Sequence, residues 1–135
     1  MTASLPLLVV VTGSPGSGKT TLATDLARAL RIPLISRDAI KEPIMEVYRI
    51  NSVQESRQAG QAAYRILASM IEQLITGGSS CVVESNFAHG MGEDDFAPFI
   101  GRASIIQVHC TAPNDIILAR FRERAESGER HARRL

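Results

Sequence analysis

The sequence predicts an α/β domain built on a parallel sheet, and three observations carry that prediction. Short apolar runs alternate along the chain with segments of helical periodicity. The first run, Leu7-Leu8-Val9-Val10-Val11, is apolar throughout, as a parallel strand covered on both faces should be. It leads into Gly13-Ser14-Pro15-Gly16-Ser17-Gly18-Lys19-Thr20, after which a helical pattern begins. Strand, glycine-rich turn and helix is the context in which G-x-x-x-x-G-K-[ST] reads as a phosphate-binding loop.

The elements follow in order. Residues 1–6 are a short lead, and the first strand is Leu7–Val11. The first helix runs from Lys19 to about Leu30. Leu22, Leu26 and Ala29 or Leu30 form its inner face, and Asp25, Arg28 and Arg31 face out. Pro33-Leu34-Ile35-Ser36 reads as a second strand closed by Arg37-Asp38. Asp38 is a candidate N-cap for a helix from Ala39, and Pro43 belongs at a helix start or kink. Ser52-Val53-Gln54-Glu55 fits a capping box. The helix behind it is the longest, Val53 to Thr76, with Ala63, Leu67, Met70, Ile71 and Leu74 as its core stripe and Gly77-Gly78 as its stop.

Ser80–Glu84 is a third strand. A loop with two glycines, Asn86–Gly92, follows it, then a short helix from Glu93 to about Ile100, interrupted near Pro98. Ser104–Cys110 is a fourth strand. Pro113 sits in the first turn of a final helix reaching about Ser127, and a basic tail, Gly128–Leu135, ends the sequence.

Bulk properties narrow the class. At 135 residues the sequence is one domain, 1–135, and 44% hydrophobic content suffices for a core. The net charge of +1 and 4% aromatic content argue mildly against a nucleic-acid partner, because the global charge points to none and few stacking platforms are available. Cys81 and Cys110 lie in apolar runs without metal-ligand spacing, so they read as reduced thiols of a cytoplasmic protein. No signal peptide or membrane-spanning run is evident, so no membrane partner is expected. Oligomeric state is not legible.

The chemistry concentrates where parallel sheets place ligands, beyond the carboxyl ends of the strands. In the loop, glycine backbone wraps tightly and turns its N–H groups inward at a helix N-terminus. Lys19 adds a charge for β- and γ-phosphates, and the Thr20 hydroxyl can ligate Mg²⁺. Asp38 follows the second strand. It can accept the proton of an attacking hydroxyl or orient a metal-bound water, and the competing reading is a helix cap. Arg37 or Lys41 can hold an anionic substrate or stand as solvated charges. Glu84 ends a buried strand, where a charge is costly without a partner, so it is a candidate for water on the metal. Arg120 and Arg124 share a helix face, and Arg130 follows in the tail. They suit either a lid that closes on phosphoryl oxygens or a solvated helix end. His89, His109 and His131 show no ligand spacing.

Together these stretches resemble the small phosphate-loop kinases of the nucleoside-kinase-like superfamily. Within it they are most similar to a bacterial AAA-domain kinase group related to polynucleotide 5′-kinases, zeta toxins, chloramphenicol phosphotransferase, and gluconate and shikimate kinases. The carriers are residues 13–21, Ile35-Ser36-Arg37-Asp38, residues 82–87, residues 108–113, and the arginine-bearing stretches 118–124 and 128–131. The resemblance implies strand order 2-3-1-4 and an ATP-dependent phosphotransferase acting on a small-molecule hydroxyl, with ATP and Mg²⁺ as cofactors. It implies nucleotide contacts from Gly13, Ser14, Pro15, Gly16, Ser17, Gly18, Lys19, Thr20, Thr21 and Arg130. It assigns catalysis to Lys19, Asp38, Arg120 and Arg124, the metal to Thr20, Asp38 and Glu84, and a lid to about 125–135. That family continues past the lid to a fifth strand, a final helix and an adenine-holding loop. The resemblance therefore implies a C-terminally incomplete domain that lacks the usual fifth strand. A nucleotide-binding module without transfer activity and a polynucleotide 5′-kinase are the alternatives.

Overall fold

Alternate residues of one strand feed two separate cores. In the computed structural model, which describes residues 4–85 and 93–111, β1 (Leu7–Gly13) turns Leu8 and Val10 to one face and Val9 and Val11 to the other. The first face packs on Leu67, Ile71 and Ile75 of a long helix, and the second on Ala23 and Ala27 of a shorter one. The result is three layers, helix on sheet on helix, and Leu8–Val11 of β1 are all apolar and buried because neither face of that stretch meets water.

The sheet holds β1, β2 (Leu34–Ser36), β3 (Cys81–Ser85) and β4 (Ser104–Cys110) in the order β2-β3-β1-β4. All three pairings are parallel, as the α/β reading requires. Between the strands lie α1 (Lys19–Leu30), α2 (Arg37–Val47), α3 (Val53–Thr76) and a 3₁₀ segment, Glu93–Phe99, that contains Pro98. β4 is the edge of the described sheet, and none of its residues is fully buried. No described helix is long and apolar enough to cross a membrane.

Both long helices keep their predicted limits because their end signals are local. Gly18 caps α1 from a left-handed conformation. The Ser52 hydroxyl accepts from the Glu55 amide at 3.2 Å and donates to the Glu55 carboxylate at 3.1 Å. This satisfies an orphan donor of α3.

Four local expectations are corrected. α2 begins at Arg37, capped by Ser36, whose hydroxyl accepts from the Ala39 amide; Asp38 is in the first turn rather than at the cap. Ser36 keeps the extended backbone of β2, which is the conformation an N-cap adopts. Pro43 lies inside α2, which continues through it to Val47. Leu22 and Leu26 pack half-buried on the core as expected, but Ala29 and Leu30 are exposed, and the apolar residues of α1 that are fully buried are Ala23 and Ala27. Met70 is exposed, and the buried stripe of α3 is Ser56, Ala59, Gly60, Ala63, Leu67, Ile71 and Ile75. The loop 86–92, the final helix and the basic tail lie outside the described residues.

Candidate active site

Strand alternation places the site's acidic group. In β3, Val82 belongs to the core under α1, so Glu84, two residues on, points to the same side. Its Cα pairs with Val11 on one flank and Ser36 on the other, at the carboxyl end of the sheet. The carboxylate meets the first turn of α1 there. The Thr20 hydroxyl donates to Glu84 Oε1 at 2.9 Å, and Lys19 Nζ lies 3.9 Å from the same oxygen. Lys19 is 3% exposed and Glu84 2% exposed, so both charges are held out of water and in reach of each other. A buried charge with a partner and a hydrogen bond is tolerated; alone it would not be.

The glycine-rich loop bends over this pair. Gly16 and Gly18 have φ of 84° and 92°, the left-handed region that side chains resist. Gly13 is fixed by space as well: a Cβ there would stand 2.5 Å from Ser17 Oγ and 2.8 Å from the Cys110 carbonyl oxygen. The Ser17 amide donates to the Ser14 carbonyl at 3.1 Å and closes the turn. No side chain among the described residues caps α1, and a helix N-terminus behind a glycine-rich loop is the arrangement that binds phosphate oxygens. Ser17 Oγ is buried with no hydrogen-bond partner among the described residues, a polar atom that a bound group would satisfy. Ser14 and Thr21 are exposed at the loop's rim and Pro15 is half-buried.

The donor set fits a hard divalent cation. A hydroxyl and a carboxylate oxygen 2.9 Å apart are oxygen ligands of the type magnesium takes, with water and phosphate completing its shell. Thr20 and Glu84 are the described residues whose oxygens could hold such an ion.

Asp38 stands in the first turn of α2, two residues beyond Ser36, and Ser36 is paired with Glu84, so both carboxylates rise from neighbouring strand ends. Its charge acts on Lys41. Burial first, and then the Arg37 guanidinium, hold the Lys41 ammonium below the ordinary lysine range, against a smaller opposing pull from Asp38. Arg120, Arg124 and Arg130 lie outside the described residues.

Two contacts have no counterpart among the sequence expectations. Thr12 Oγ1 and His109 Nδ1 meet at 2.8 Å beside the loop, across a strand pairing that no local pattern announces. Arg37 Nε donates to the Gly60 carbonyl at 3.3 Å. The signal for the second was a glycine inside a helical pattern, which costs about 1 kcal/mol against alanine and so invites a search for what approaches its backbone.

Residues 8–134 match the model of a family described as an AAA domain. A candidate kinase from Chloroflexus aurantiacus J-10-fl is 34% identical, with a TM-score of 0.88 over 95% of this chain and 70% of that one. A cytidylate kinase from Pyrobaculum calidifontis is 34% identical over 55 residues, which is 41% of this chain and 30% of that protein. The chain thus matches about 30% of the length of that curated relative. A chain of the Pnkp1/Rnl/Hen1 RNA repair complex shares the fold, with a TM-score of 0.68 at 18% identity over 93% of this chain and 40% of that one.

Proposed function

This chain is a P-loop kinase-like domain of the AAA-domain family, and from that premise we propose that it is an ATP-dependent phosphotransferase acting on a hydroxyl of a small molecule. The observation that carries the reading is the buried Lys19–Glu84–Thr20 cluster under the glycine loop. A loop that only bound phosphate needs the amides and the lysine. A buried carboxylate on the threonine hydroxyl is the added part that a metal-dependent transfer uses.

In this mechanism the loop amides and Lys19 would hold the β- and γ-phosphates, and Thr20 and Glu84 would hold the metal or its water. Magnesium, when bound, neutralises charge on the phosphate oxygens. Asp38 accepts the proton of the acceptor hydroxyl as its oxygen forms a bond to the γ-phosphorus. The bond from that phosphorus to the β–γ bridging oxygen breaks, and ADP leaves with the electron pair. Arg120, Arg124 and Arg130 are the residues proposed to reach the transferring phosphoryl group from a lid, because a guanidinium fork matches its oxygens. The 135-residue sequence is proposed as one such domain with its lid at about 125–135.

The test is ATP turnover with magnesium over a panel of sugars, sugar acids, nucleoside monophosphates including CMP, and a 5′-hydroxyl oligonucleotide. Acceptor-stimulated turnover that falls at least about 100-fold in Asp38→Asn is the expected result. Tight magnesium-dependent ATP binding with no transfer to any acceptor would make the chain a nucleotide-binding module. Transfer confined to the oligonucleotide would make it a polynucleotide kinase.

A further inference from the structure

Gly60 is a buried glycine in the interior of α3, where glycine costs about 1 kcal/mol relative to alanine. What occupies the space is two cations. A Cβ on Gly60 would stand 2.7 Å from Arg37 Nη2 and 3.8 Å from Lys41 Nζ, so both groups lie within 4 Å of the place a side chain there would begin. Arg37 Nε also donates to the Gly60 carbonyl, which orients the guanidinium. That bond uses one of the five N–H donors of an arginine.

Arg37 and Lys41 are four apart on α2 and therefore share one face of it. Like charges at this spacing repel, and half-burial strengthens the repulsion. Folding nevertheless brings the two together, Asp38 offsets only part of the cost at Lys41, and an anion between them would relieve more of it. The location gives that anion a purpose. Arg37 directly follows Ser36, the residue paired with Glu84, and Asp38 lies between the two cations in the sequence. Ser85, which alternation puts on the α3 side of the sheet, ends β3 with a buried hydroxyl that has no hydrogen-bond partner among the described residues.

We propose that Arg37 and Lys41, seated on Gly60, form an anion-recognising wall of the acceptor subsite, so that the accepting hydroxyl belongs to a compound that also carries a carboxylate or a phosphate. The assignment of this anion as an acceptor rests on the phosphotransferase reading; the cation seat itself does not. Gly60 is the specificity-determining position, since only a residue without a side chain lets the guanidinium lie on the helix.

The experiment uses the full chain with ATP and magnesium and two matched pairs of acceptors, glycerate against glycerol and ribose 5-phosphate against ribose. The charged member of at least one pair should be preferred by about tenfold or more in kcat/KM, and the pair that shows it identifies carboxylate or phosphate. Arg37→Gln and Lys41→Gln should each raise KM for the charged member at least about fivefold with a smaller change in kcat, and Arg37→Lys should recover part of the loss. Gly60→Ala should act in the same direction. A role confined to fastening α2 to α3 would instead lower the melting temperature and shift both members of a pair alike, and that result overturns the proposal. Equal use of charged and neutral acceptors also overturns it while leaving phosphotransfer intact.

A second arm is independent of turnover. With the loop filled by magnesium and a non-hydrolysable ATP analogue, calorimetry measures binding of glycerate and ribose 5-phosphate to the parent and to Arg37→Gln. Binding lost in the variant, without transfer, keeps the subsite and removes the phosphotransferase reading. Binding of neither compound, with no transfer to them, overturns the subsite.

Discussion

The Thr20 hydroxyl and the Glu84 carboxylate meet at 2.9 Å across 64 residues of sequence. One belongs to the first turn of α1 and the other to the end of β3, and the parallel pairing of β3 with β1 brings them together. The Lys19 ammonium 3.9 Å from the same carboxylate completes a cluster of one buried cation, one buried anion and one half-buried hydroxyl.

Glu84→Gln keeps the shape of that cluster and removes its negative charge. Nucleotide affinity without magnesium should hold or tighten, because Lys19 no longer shares its charge with a carboxylate. The gain in affinity on adding magnesium should shrink, and turnover should fall about 100-fold or more. Calorimetry with and without the metal checks this; an unchanged magnesium response would remove Glu84 from the metal site. Glu84→Ala should cost about 3 kcal/mol in denaturant unfolding, since it strips a buried ammonium of this partner.

Gly13→Ala tests the loop's packing. The added methyl meets Ser17 Oγ at 2.5 Å and the Cys110 carbonyl oxygen at 2.8 Å. We expect a loss of about 1–3 kcal/mol in stability and weaker nucleotide binding. Adding Ser17→Ala should recover only part of it, because the second obstacle is backbone. Full recovery in the double variant would place the strain on the serine alone.

The Arg102–Glu72 pair should show in the acid limb of stability. Arg102 Nη2 donates to Glu72 Oε1 at 2.6 Å and Nη1 to Oε2 at 3.1 Å, a bidentate bond between α3 and the residues ahead of β4. The hydrogen bond from Arg102 holds the Glu72 carboxyl below its ordinary value of 4.5. A depressed folded value means that the contribution is fully present above the ordinary carboxylate range and is lost as pH falls through the lowered value. The melting-temperature gap between the parent and Glu72→Gln should therefore be small but measurable at neutral pH, and should close in acid and in molar salt. A gap that persists in acid would mean that packing, not charge, carries it.

The two thiols should separate by reactivity. Burial pushes Cys81 up to about 11, while Cys110 is only half-buried. A thiol-directed reagent at neutral pH should label Cys110 first and Cys81 only as the protein unfolds. Cys110→Ser should remove the fast phase; equal rates for both thiols would contradict the burial of β3.

Several elements are legible from local signals in the amino-acid sequence. Lys19–Leu30, Val53–Thr76 and Ser104–Cys110 all keep their predicted limits, because glycine turns, a capping serine and a short β-branched run, Ile105-Ile106 with Val108, are written in neighbouring residues. Ser36 and Asp38 are both good caps two positions apart, and nothing local chooses between them. The choice of Ser36 depends on where β2 ends, which its pairing with β3 sets. The inner face of α1 is legible in part. Periodicity marks Leu22 and Leu26, which pack half-buried on the core, but packing against β1 and β3 decides that Ala23 and Ala27 are the apolar residues fully buried there. The partner of Glu84 could be anticipated only as a requirement, because an unpaired buried carboxylate is too costly to keep.

By itself, then, the sequence determined the phosphate loop, the alternation of strands with helices, and the demand that Glu84 be satisfied, since each follows from the chemistry of adjacent residues. Only the tertiary structure decided that Thr20 and Lys19 meet that demand, and that Arg37 and Lys41 converge on the bare backbone of Gly60. Those contacts join residues far apart in the chain, and strand register and helix packing, not local propensity, set which of them come within a hydrogen bond's reach.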